Sequence, residues 1–286
     1  MAYRIVTDTG CDFPQSMYEE KGLVVVPLTV NYKGKEYTDY TESWLQEMYE
    51  GLRAGQSATT SAVNPDGWAK AIAPILEAGE DALVLVFSSG LSTTYQSAVI
   101  AAQELKETYP ERKVNVVDTR CASLGQGLFA HYACQKRDSG LSLDELTAWC
   151  EENKLHLCHW FTVDDLMYLK RGGRVSAATA LVGTMLQIKP VLHVDDEGHL
   201  INKGKVRGRK ASIDALVKKM QETALPGENE LVYICHGDCW DDAAYLEKQV
   251  KEKCGVKEVF AYYTGAVIGS HSGPGTLALF FLGEHR

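Results

Sequence analysis

The chain carries the sequence ALVLVFSSGLSTT at residues 82–94, where an apolar run passes directly into a turn rich in hydroxyl side chains. Such a run, followed by turn residues, is typical of a buried strand, and from Tyr95 onward apolar side chains recur at helical spacing. We therefore predict a strand, a turn and the N-terminus of a helix. The turn would place hydroxyls and unpaired backbone N–H groups at the positive end of the helix dipole, which favours a bound carboxylate or phosphate.

Short apolar strands alternate with amphipathic helices through the first half of the chain, which is the pattern of an α/β fold with a mainly parallel sheet. Asn64 followed by Pro65 predicts the start of one helix, and SLDE at residues 142–145 predicts a capping box at the start of another. The predicted strands are Tyr3 to Thr7, Leu23 to Val30, Ala82 to Phe87 and Lys113 to Val117.

The second half has a different pattern, with a strand, a turn and a returning strand over residues 188–206. Helices are predicted at Lys210 to Ala224 and Trp240 to Cys254, alternating with strands at Glu230 to Cys235 and Glu258 to Tyr263. This pattern indicates a mixed sheet with helices. We predict two closely apposed α/β domains, residues 1–160 and 161–286, with a ligand between them.

Composition narrows the class of protein. The chain has 286 residues, 45% of them hydrophobic, and a net charge of -9. This charge disfavours nucleic acid as a partner, because binding a polyanion depends on Lys and Arg. The sequence contains no apolar run near the ~18 residues of a membrane span and no pattern of a secretory signal, so we expect a cytoplasmic protein that is not embedded in a membrane. The eight dispersed cysteines are expected to be reduced and mostly buried.

Hydroxyl and carboxyl side chains gather where predicted elements of the first half meet. They lie at residues 7–9, 59–61, 88–94 and 118–119. The carboxyl ends of parallel strands meet at one edge of a sheet, so these loops are expected to line a common pocket. The alternative for any single loop is that its Ser, Thr or Asp only caps a helix.

A second candidate segment is GAVIGSHSGPG at residues 265–275, which has four glycines and is expected to be a loop. His271 lies in its middle. Its surroundings favour a role as a hydrogen-bond donor or a cation at a bound anion, and a plain surface histidine is the alternative.

A serine hydrolase is the main alternative from another functional class. Ser89 or Ser92 would be the nucleophile, with His271 and Asp8, but the G-x-S-x-G elbow is incomplete. A phosphate-handling enzyme using Ser92 and His271 is a related possibility.

Two further patterns are weaker. GQGLFA at residues 125–130 matches a dinucleotide fingerprint in letters, but it lies several residues beyond a strand, so its glycines are expected to serve helix packing. Residues 156–159 and 235–239 contain His and Cys without the spacing of a metal site, and no metal is expected.

Four basic residues alternate along a predicted strand: Lys203, Lys205, Arg207 and Arg209. A period of two puts them on one face. The face is either an ordinary solvated surface or a docking site for an acidic partner or a phosphate.

Several of these blocks, taken in order, resemble the DegV family of bacterial fatty-acid-binding proteins. The resemblance rests on TDT at residues 7–9, TS at 60–61, SSGLSTTYQS at 88–97, DLMYLKRGGRVS at 165–176, KP at 189–190 and HSGPG at 271–275. It implies two α/β domains with one long-chain fatty acid, such as palmitate, stearate or oleate, between them, and neither a cofactor nor catalytic activity of its own. The resemblance also implies a partner, the catalytic subunit of a fatty acid kinase, which forms an acyl phosphate for phospholipid metabolism.

The same resemblance implies roles for particular residues. Thr60 and Ser92 would hydrogen-bond the carboxylate, with Ser61, Thr93 and His271 nearby. Thr93 stands where the family usually has Gly, so it crowds the carboxylate or adds a third hydroxyl.

The acyl chain would pass Leu166 and the apolar helix Ala177 to Leu186. Leu181, Val182 and Met185 would line the tunnel on that helix. The basic stripe from Lys203 to Arg209 is then the candidate docking surface for the kinase.

Overall fold

Three β-sheets with surrounding helices form the protein in the computed structural model, which describes residues 2–176 and 187–286. The predicted helix 177–186 lies outside the described residues, together with the tunnel candidates Leu181, Val182 and Met185.

The strands are β1 (Tyr3–Asp8), β2 (Val24–Val26), β3 (Thr29–Tyr32), β4 (Lys35–Tyr37), β5 (Ala58–Ser61), β6 (Asp81–Val86), β7 (Val114–Asp118), β8 (Leu157–Thr162), β9 (Ile188–Val194), β10 (Leu200–Arg207), β11 (Leu231–His236), β12 (Glu258–Tyr263) and β13 (Leu277–Leu282). The α-helices are α1 (Gln15–Glu20), α2 (Glu42–Arg53), α3 (Pro65–Glu77), α4 (Thr94–Thr108), α5 (Leu124–Asp138), α6 (Leu143–Asn153), α7 (Met167–Arg171), α8 (Arg209–Thr223), α9 (Trp240–Cys254) and α10 (Ala266–Ser272). Short 3-10 helices lie at Thr9–Cys11 and Lys154–His156.

The first sheet is parallel, in the order β2-β1-β6-β7, as the alternation of strands and helices predicts. Every residue of β6 is buried, because helices cover both of its faces. Leu83 and Leu85 belong to the core cluster that includes α5 and α6, whereas Val84 and Val86 face the cluster that includes α3. This alternation fixes the carboxyl end of β6 between two cores.

Local capping signals are confirmed. Asn64 Oδ1 accepts a hydrogen bond from the Gly67 backbone N–H at 2.8 Å, and Ser142 and Glu145 form a capping box. Gly125 lies inside α5, and a Cβ there would overlap with the His159 ring. The glycines of the GQGLFA segment therefore serve close helix packing, as expected.

The prediction of one strand from Leu23 to Val30 is wrong. Its residues form β2 in the parallel sheet and β3 in a small antiparallel sheet of order β4-β3-β5. Pro27 lies between them and lacks the backbone N–H that a continuous ladder requires.

The segment 265–275 is not simply a loop, because α10 occupies most of it. Gly269 faces Tyr49 so closely that a Cβ would overlap with the phenol oxygen. The glycines here let a short helix approach α2.

The second sheet is mixed, in the order β10-β9-β8-β13-β11-β12, with one parallel pair between β11 and β12. The predicted hairpin is confirmed: β9 and β10 are antiparallel, with a bulge near Asn202 and Gly204. β8 crosses the predicted domain limit at residue 160 and pairs with β13 and β9. The limits 1–160 and 161–286 stay a prediction.

The hairpin turn closes onto the first half of the chain. Ser88 Oγ donates to the Gly198 carbonyl at 2.9 Å, and Arg120 Nη1 donates to the Glu197 carbonyl at 2.7 Å. Within the two described ranges, no helix is both long and apolar enough to cross a bilayer.

Candidate functional site

The strand-end loops of the parallel sheet meet as predicted. The Phe87 N–H donates to Asp8 Oδ2 at 2.9 Å, and the Ser89 N–H donates to Asp118 Oδ1 at 3.1 Å. Asp8 also accepts from the Gly10 N–H at 2.9 Å. Asp8 and Asp118 therefore fix the backbone at the start of the 88–94 turn.

The hydroxyls at residues 7–9 and 119 are also structural. Thr7 Oγ1 donates to the Leu85 carbonyl, and Thr119 Oγ1 donates to the Val86 carbonyl, each at 2.8 Å. Thr9 Oγ1 accepts from the Leu28 N–H at 3.0 Å. These three hydroxyls therefore bond the backbone of strands and loops; they neither cap a helix nor line the cavity described next.

A cavity of about 470 Å³ lies beside the 88–94 turn and reaches into the second sheet. Its polar lining includes residues of the 88–94 turn and residues beside them, Thr60, Ser89, Ser92, Thr93, Arg174 and His271, and also Ser123, His159, Thr264, Ser272 and Thr276. Hydrogen bonds join Thr60 to His271, and Arg174 to the Leu91 carbonyl of the turn. Much of the remaining wall is apolar and comes from both halves of the chain, including Phe87, Phe161, Leu169, Val194, Leu200 and Phe280. The cavity can therefore hold an amphiphile with one polar end.

Thr60 and His271, which both line the cavity, are joined by a hydrogen bond. Thr60 Oγ1 and His271 Nε2 are 2.7 Å apart, although the residues are 211 positions apart in the chain. Thr60 is half-buried on β5, and strand alternation leaves its neighbour Ser61 exposed and away from the cavity lining. The structure thus brings Thr60 to the site but not Ser61.

His271 is neutral near pH 7. Burial and, as a smaller cause, the nearby Arg174 charge together lower its pKa to about 4. A Cβ at Gly172 would overlap with the ring, so the Gly172 backbone packs directly against it. His271 is therefore held in place as a neutral hydrogen-bonding group, and its role at a bound anion stays a prediction.

Arg174 supplies a positive charge to the cavity lining, a role that the sequence analysis did not assign to it. Its Nε and Nη2 donate to the Leu91 carbonyl at 3.2 and 3.0 Å. The guanidinium therefore lies against the hydroxyl-rich turn. Arg174 belongs to the block at residues 165–176 that carries the family resemblance, and this was the only signal for it in the sequence. The sequence did not indicate that its charge faces the same cavity as His271.

Ser92 and Thr93 lie in the cavity wall at the start of α4. Ser92 Oγ accepts from the Thr94 N–H at 3.2 Å, and Thr93 is the N-cap residue but makes no side-chain cap. Thr93 is exposed at this position. Leu166, the remaining described tunnel candidate, is only 3% exposed and lies in the core outside the cavity lining.

Ser92, His271 and Asp8 do not form the hydrogen-bonded arrangement that a serine hydrolase requires. His271 Nε2 bonds Thr60, and Ser92 Oγ is engaged by the Thr94 backbone. Asp8 is enclosed by backbone and Gln126 donors, and burial raises its pKa to about 6. Within the described chain, no hydrogen bonds link these groups into a relay to Ser92.

The comparison with known sequences decides the family. Residues 2–284 match the family model described as "Uncharacterised protein, DegV family". The chain belongs to the DegV family. It is 44% identical to "DegV domain-containing protein CPE0026" of Clostridium perfringens, over 99% of this chain and 98% of that protein. It is 30% identical to "Protein DegV" of Bacillus subtilis, over 98% of each.

Solved DegV structures share the fold. A DegV family protein from Thermus thermophilus, described as binding fatty acid, is 36% identical with a TM-score of 0.89, covering 99% of this chain and all of that one. A Thermotoga maritima protein with a described fatty acid binding function is 31% identical with a TM-score of 0.85, covering 99% of each chain. The family resemblance and the α/β fold predicted from the sequence are therefore confirmed.

The basic stripe of this DegV protein is shorter than predicted. Lys203, Lys205 and Arg207 are exposed on β10. The strand ends at Arg207, Gly208 is the N-cap residue of α8, and Arg209 begins that helix with its Nε 2.8 Å from Asp242 Oδ2. Arg209 is therefore a partly buried ion-pair residue, and the prediction that it shares the strand face is wrong.

Proposed function

We propose that this DegV protein binds one long-chain fatty acid in the 470 Å³ cavity. The observation that carries the proposal is a largely apolar cavity in whose wall Thr60 bonds His271 and Arg174 bonds the 88–94 turn. Thr60, Ser92 and His271 surround the proposed carboxylate position, Arg174 adds a positive charge, and Thr93 lies at its rim. The fatty acid binding named for the Thermus and Thermotoga relatives supports the same ligand class.

The hydrogen-bond pattern assigns donors to the carboxylate. Neutral His271 with its proton on Nε2 would donate to Thr60 Oγ1, 2.7 Å away. The Thr60 hydroxyl would then be left to donate its own proton to the ligand. Hydrogen bonds to a charged group are each worth roughly 1.5–3 kcal/mol, so this relay orients the head group.

The tail supplies most of the affinity. Burying about fifteen methylenes at ~0.8 kcal/mol each gives on the order of 12 kcal/mol before the costs of association. A helix terminus contributes at most ~2 kcal/mol to binding an anion. The polar end therefore decides which head group is accepted and where it lies.

The finer proposal is that the carboxylate is presented to a separate kinase, which phosphorylates it while the tail stays bound. Ser89 and Thr93 are exposed and also line the cavity, so the polar end has an opening toward solvent. This access supports a reaction by a second protein, as the family resemblance implies. The exposed side chains of Lys203, Lys205 and Arg207 are the proposed docking surface.

Calorimetric titration of delipidated protein tests the ligand class. We expect palmitate to bind with a stoichiometry near one, and hexadecanol, which has the same tail without the carboxylate, to bind at least tenfold more weakly. Equal affinity for the two ligands would contradict the head-group assignment, and no binding of palmitate or oleate would contradict the function.

Kinase coupling needs a separate measurement. Palmitate-loaded protein, a fatty acid kinase catalytic subunit and ATP would be mixed, and acyl phosphate trapped with hydroxylamine. We expect Lys205→Glu with Arg207→Glu to lower hydroxamate formation without loss of bound palmitate. The control is Lys248→Glu on α9, which contacts the opposite edge of the sheet. Loss of palmitate in the double variant would assign the stripe a structural role instead.

A further inference from the structure

The tip of the β9–β10 hairpin, residues 195–199, lies against the 88–94 turn of the first half of the chain. The residues on either side of this tip, Val194 and Leu200, both line the 470 Å³ cavity. We propose that the position of the hairpin tip sets the width of this cavity and thereby which acid tails the protein accepts. The proposal rests on the fatty acid function proposed above and adds the contacts that determine its specificity.

Val194 and Leu200 form the last pair of the hairpin before the chain turns. They lie directly opposite each other on antiparallel strands, so their side chains point to the same side of the sheet. Val194 is buried and Leu200 is half-buried. A shift of the tip would therefore move two apolar wall residues of the cavity together.

The Ser88 hydroxyl joins the tip to the first half of the chain. Its Oγ donates to the Gly198 carbonyl at 2.9 Å and accepts from the Gly90 N–H at 3.2 Å. Ser88 is fully buried and does not line the cavity. Its hydroxyl therefore positions the hairpin tip and does not bind the carboxylate of a ligand.

Gly90 and the tip pack with no side chain between them. A Cβ on Gly90 would lie 2.8 Å from the carbonyl oxygens of Glu197 and Gly198. These oxygens belong to the backbone, so they cannot rotate away as the end of a flexible side chain can. Any side chain at residue 90 would therefore displace the tip or the turn.

Asp118 holds the turn more directly than it holds the tip. Its buried carboxylate accepts from the Ser89 N–H at 3.1 Å through Oδ1. Its Oδ2 pairs with Arg120 Nε at 2.7 Å, and Arg120 Nη1 donates to the Glu197 carbonyl at 2.7 Å. The tip is thus bonded to Asp118 only through a partly exposed arginine. An added methyl at residue 90 is expected to push the tip and its two wall residues away from the turn.

Two acids with the same head group and tails of different width test the proposal. Phytanate has a main chain as long as that of palmitate, but it carries methyl branches. Because both acids share the carboxylate, a variant that disturbs only the head group or the stability of the fold changes both affinities by the same factor. The ratio of the phytanate affinity constant to the palmitate affinity constant therefore reports the width of the cavity. Titration calorimetry of delipidated full-length protein measures both constants.

The key variant is Gly90→Ala, because the backbone at Gly90 does not have a positive φ and accepts alanine. We expect the ratio to rise at least threefold, since one methyl group that does or does not fit an apolar pocket changes affinity by about tenfold or more. Ser88→Ala, which removes the hydrogen bond to the tip, should change the ratio in the same direction.

Each variant has a matched control. Gly204→Ala adds a methyl to the same hairpin, where a Cβ meets nothing within 4 Å. Thr119→Val removes another buried hydroxyl, one that bonds the Val86 carbonyl and not the tip. Both controls should keep the ratio of the unmodified protein, and a rise of the same size in the controls would overturn the proposal.

An unchanged ratio in Gly90→Ala would also overturn it, and if that variant does not fold, an unchanged ratio in Ser88→Ala would do so. In either case binding of palmitate by the unmodified protein would leave the proposed function standing. No binding of either acid by the unmodified protein would contradict the proposed function and this specificity contact together.

Discussion

In the proposed fatty acid cavity, a neutral histidine bonds a hydroxyl and lies near a guanidinium. His271 is 2.7 Å from Thr60, and Arg174 is held against the Leu91 carbonyl. Hydrogen bonding and charge are therefore supplied by different residues. This separation allows each contribution to be removed alone.

Thr60→Val removes the hydroxyl but keeps the shape of the side chain. We expect palmitate affinity to fall about tenfold or more, since one hydrogen bond to a charged group is lost. The matched control is Ser61→Ala on the same strand, where the side chain is exposed and outside the cavity lining, and its affinity should not change. Titration calorimetry measures both, and equal losses would contradict the proposed role of Thr60.

Arg174→Gln removes the positive charge from the site. An adjacent cation stabilises a carboxylate, so the pKa of bound palmitate should rise by about 1–2 units in the variant. NMR of palmitate labelled with ¹³C at the carboxyl carbon follows this titration directly. A pKa equal to that in the unmodified protein would place Arg174 away from the head group.

At the scale of elements, helix α5 packs closely on the second sheet. A Cβ on Gly125 would overlap with His159 and lie 2.8 Å from a Phe280 ring carbon. His159 and Phe280 also line the proposed fatty acid cavity. The spacing between helix and sheet therefore helps to set the shape of the tunnel wall.

Gly125→Ala should destabilise the protein by about 1–3 kcal/mol, because the added methyl forces its buried neighbours to move. The midpoint of thermal unfolding is expected to fall by several degrees, and palmitate affinity should fall with it. Gly204→Ala is the control, since a Cβ there meets nothing within 4 Å. Equal midpoints for the two variants would show that α5 has room to shift.

Elements with strong local signals could be predicted from the sequence. The capping box at Ser142, the Asn64 cap and the apolar strand β6 depend on neighbouring residues, and all were found. The sheet formed by β3, β4 and β5 was missed because its strands have only three or four residues each and little apolar alternation.

The site was only partly predictable for a related reason. Thr60 and His271 could be named from their motifs, but their contact joins residues 211 positions apart. The charge on Arg174 faces the cavity only because of the tertiary fold, and burial decides that His271 is neutral. No periodicity or spacing contains that information.

Across the whole molecule, burial of histidines sets the response to acid. Burial lowers the pKa of His131, His193, His236 and His271 to about 4, against 6.5 for an unburied histidine. Between pH 6.5 and pH 4 the unfolded chain binds more protons than the folded chain. Each of these histidines therefore lowers the free energy of unfolding as the pH falls through that range. Asp8 and Asp12 act in the opposite direction, because their raised pKa values let the folded chain hold protons more tightly.

The histidines outnumber these two carboxyls, so acid should destabilise the protein. We expect the midpoint of thermal unfolding to fall by several degrees between pH 7 and pH 4.5. His131→Gln, in which one of the shifted groups is removed, should show a smaller decrease. A midpoint that is unchanged or higher at pH 4.5 would contradict the assigned burial of these histidines.

The bound lipid is the most direct test of the central claim, and native mass spectrometry of the purified full-length protein measures it. We expect a species whose mass exceeds that of the chain by one long-chain fatty acid, and organic extraction after denaturation should release that acid in near-equal amount to the protein. A protein that carries no fatty acid and takes up neither added palmitate nor added oleate would contradict the account.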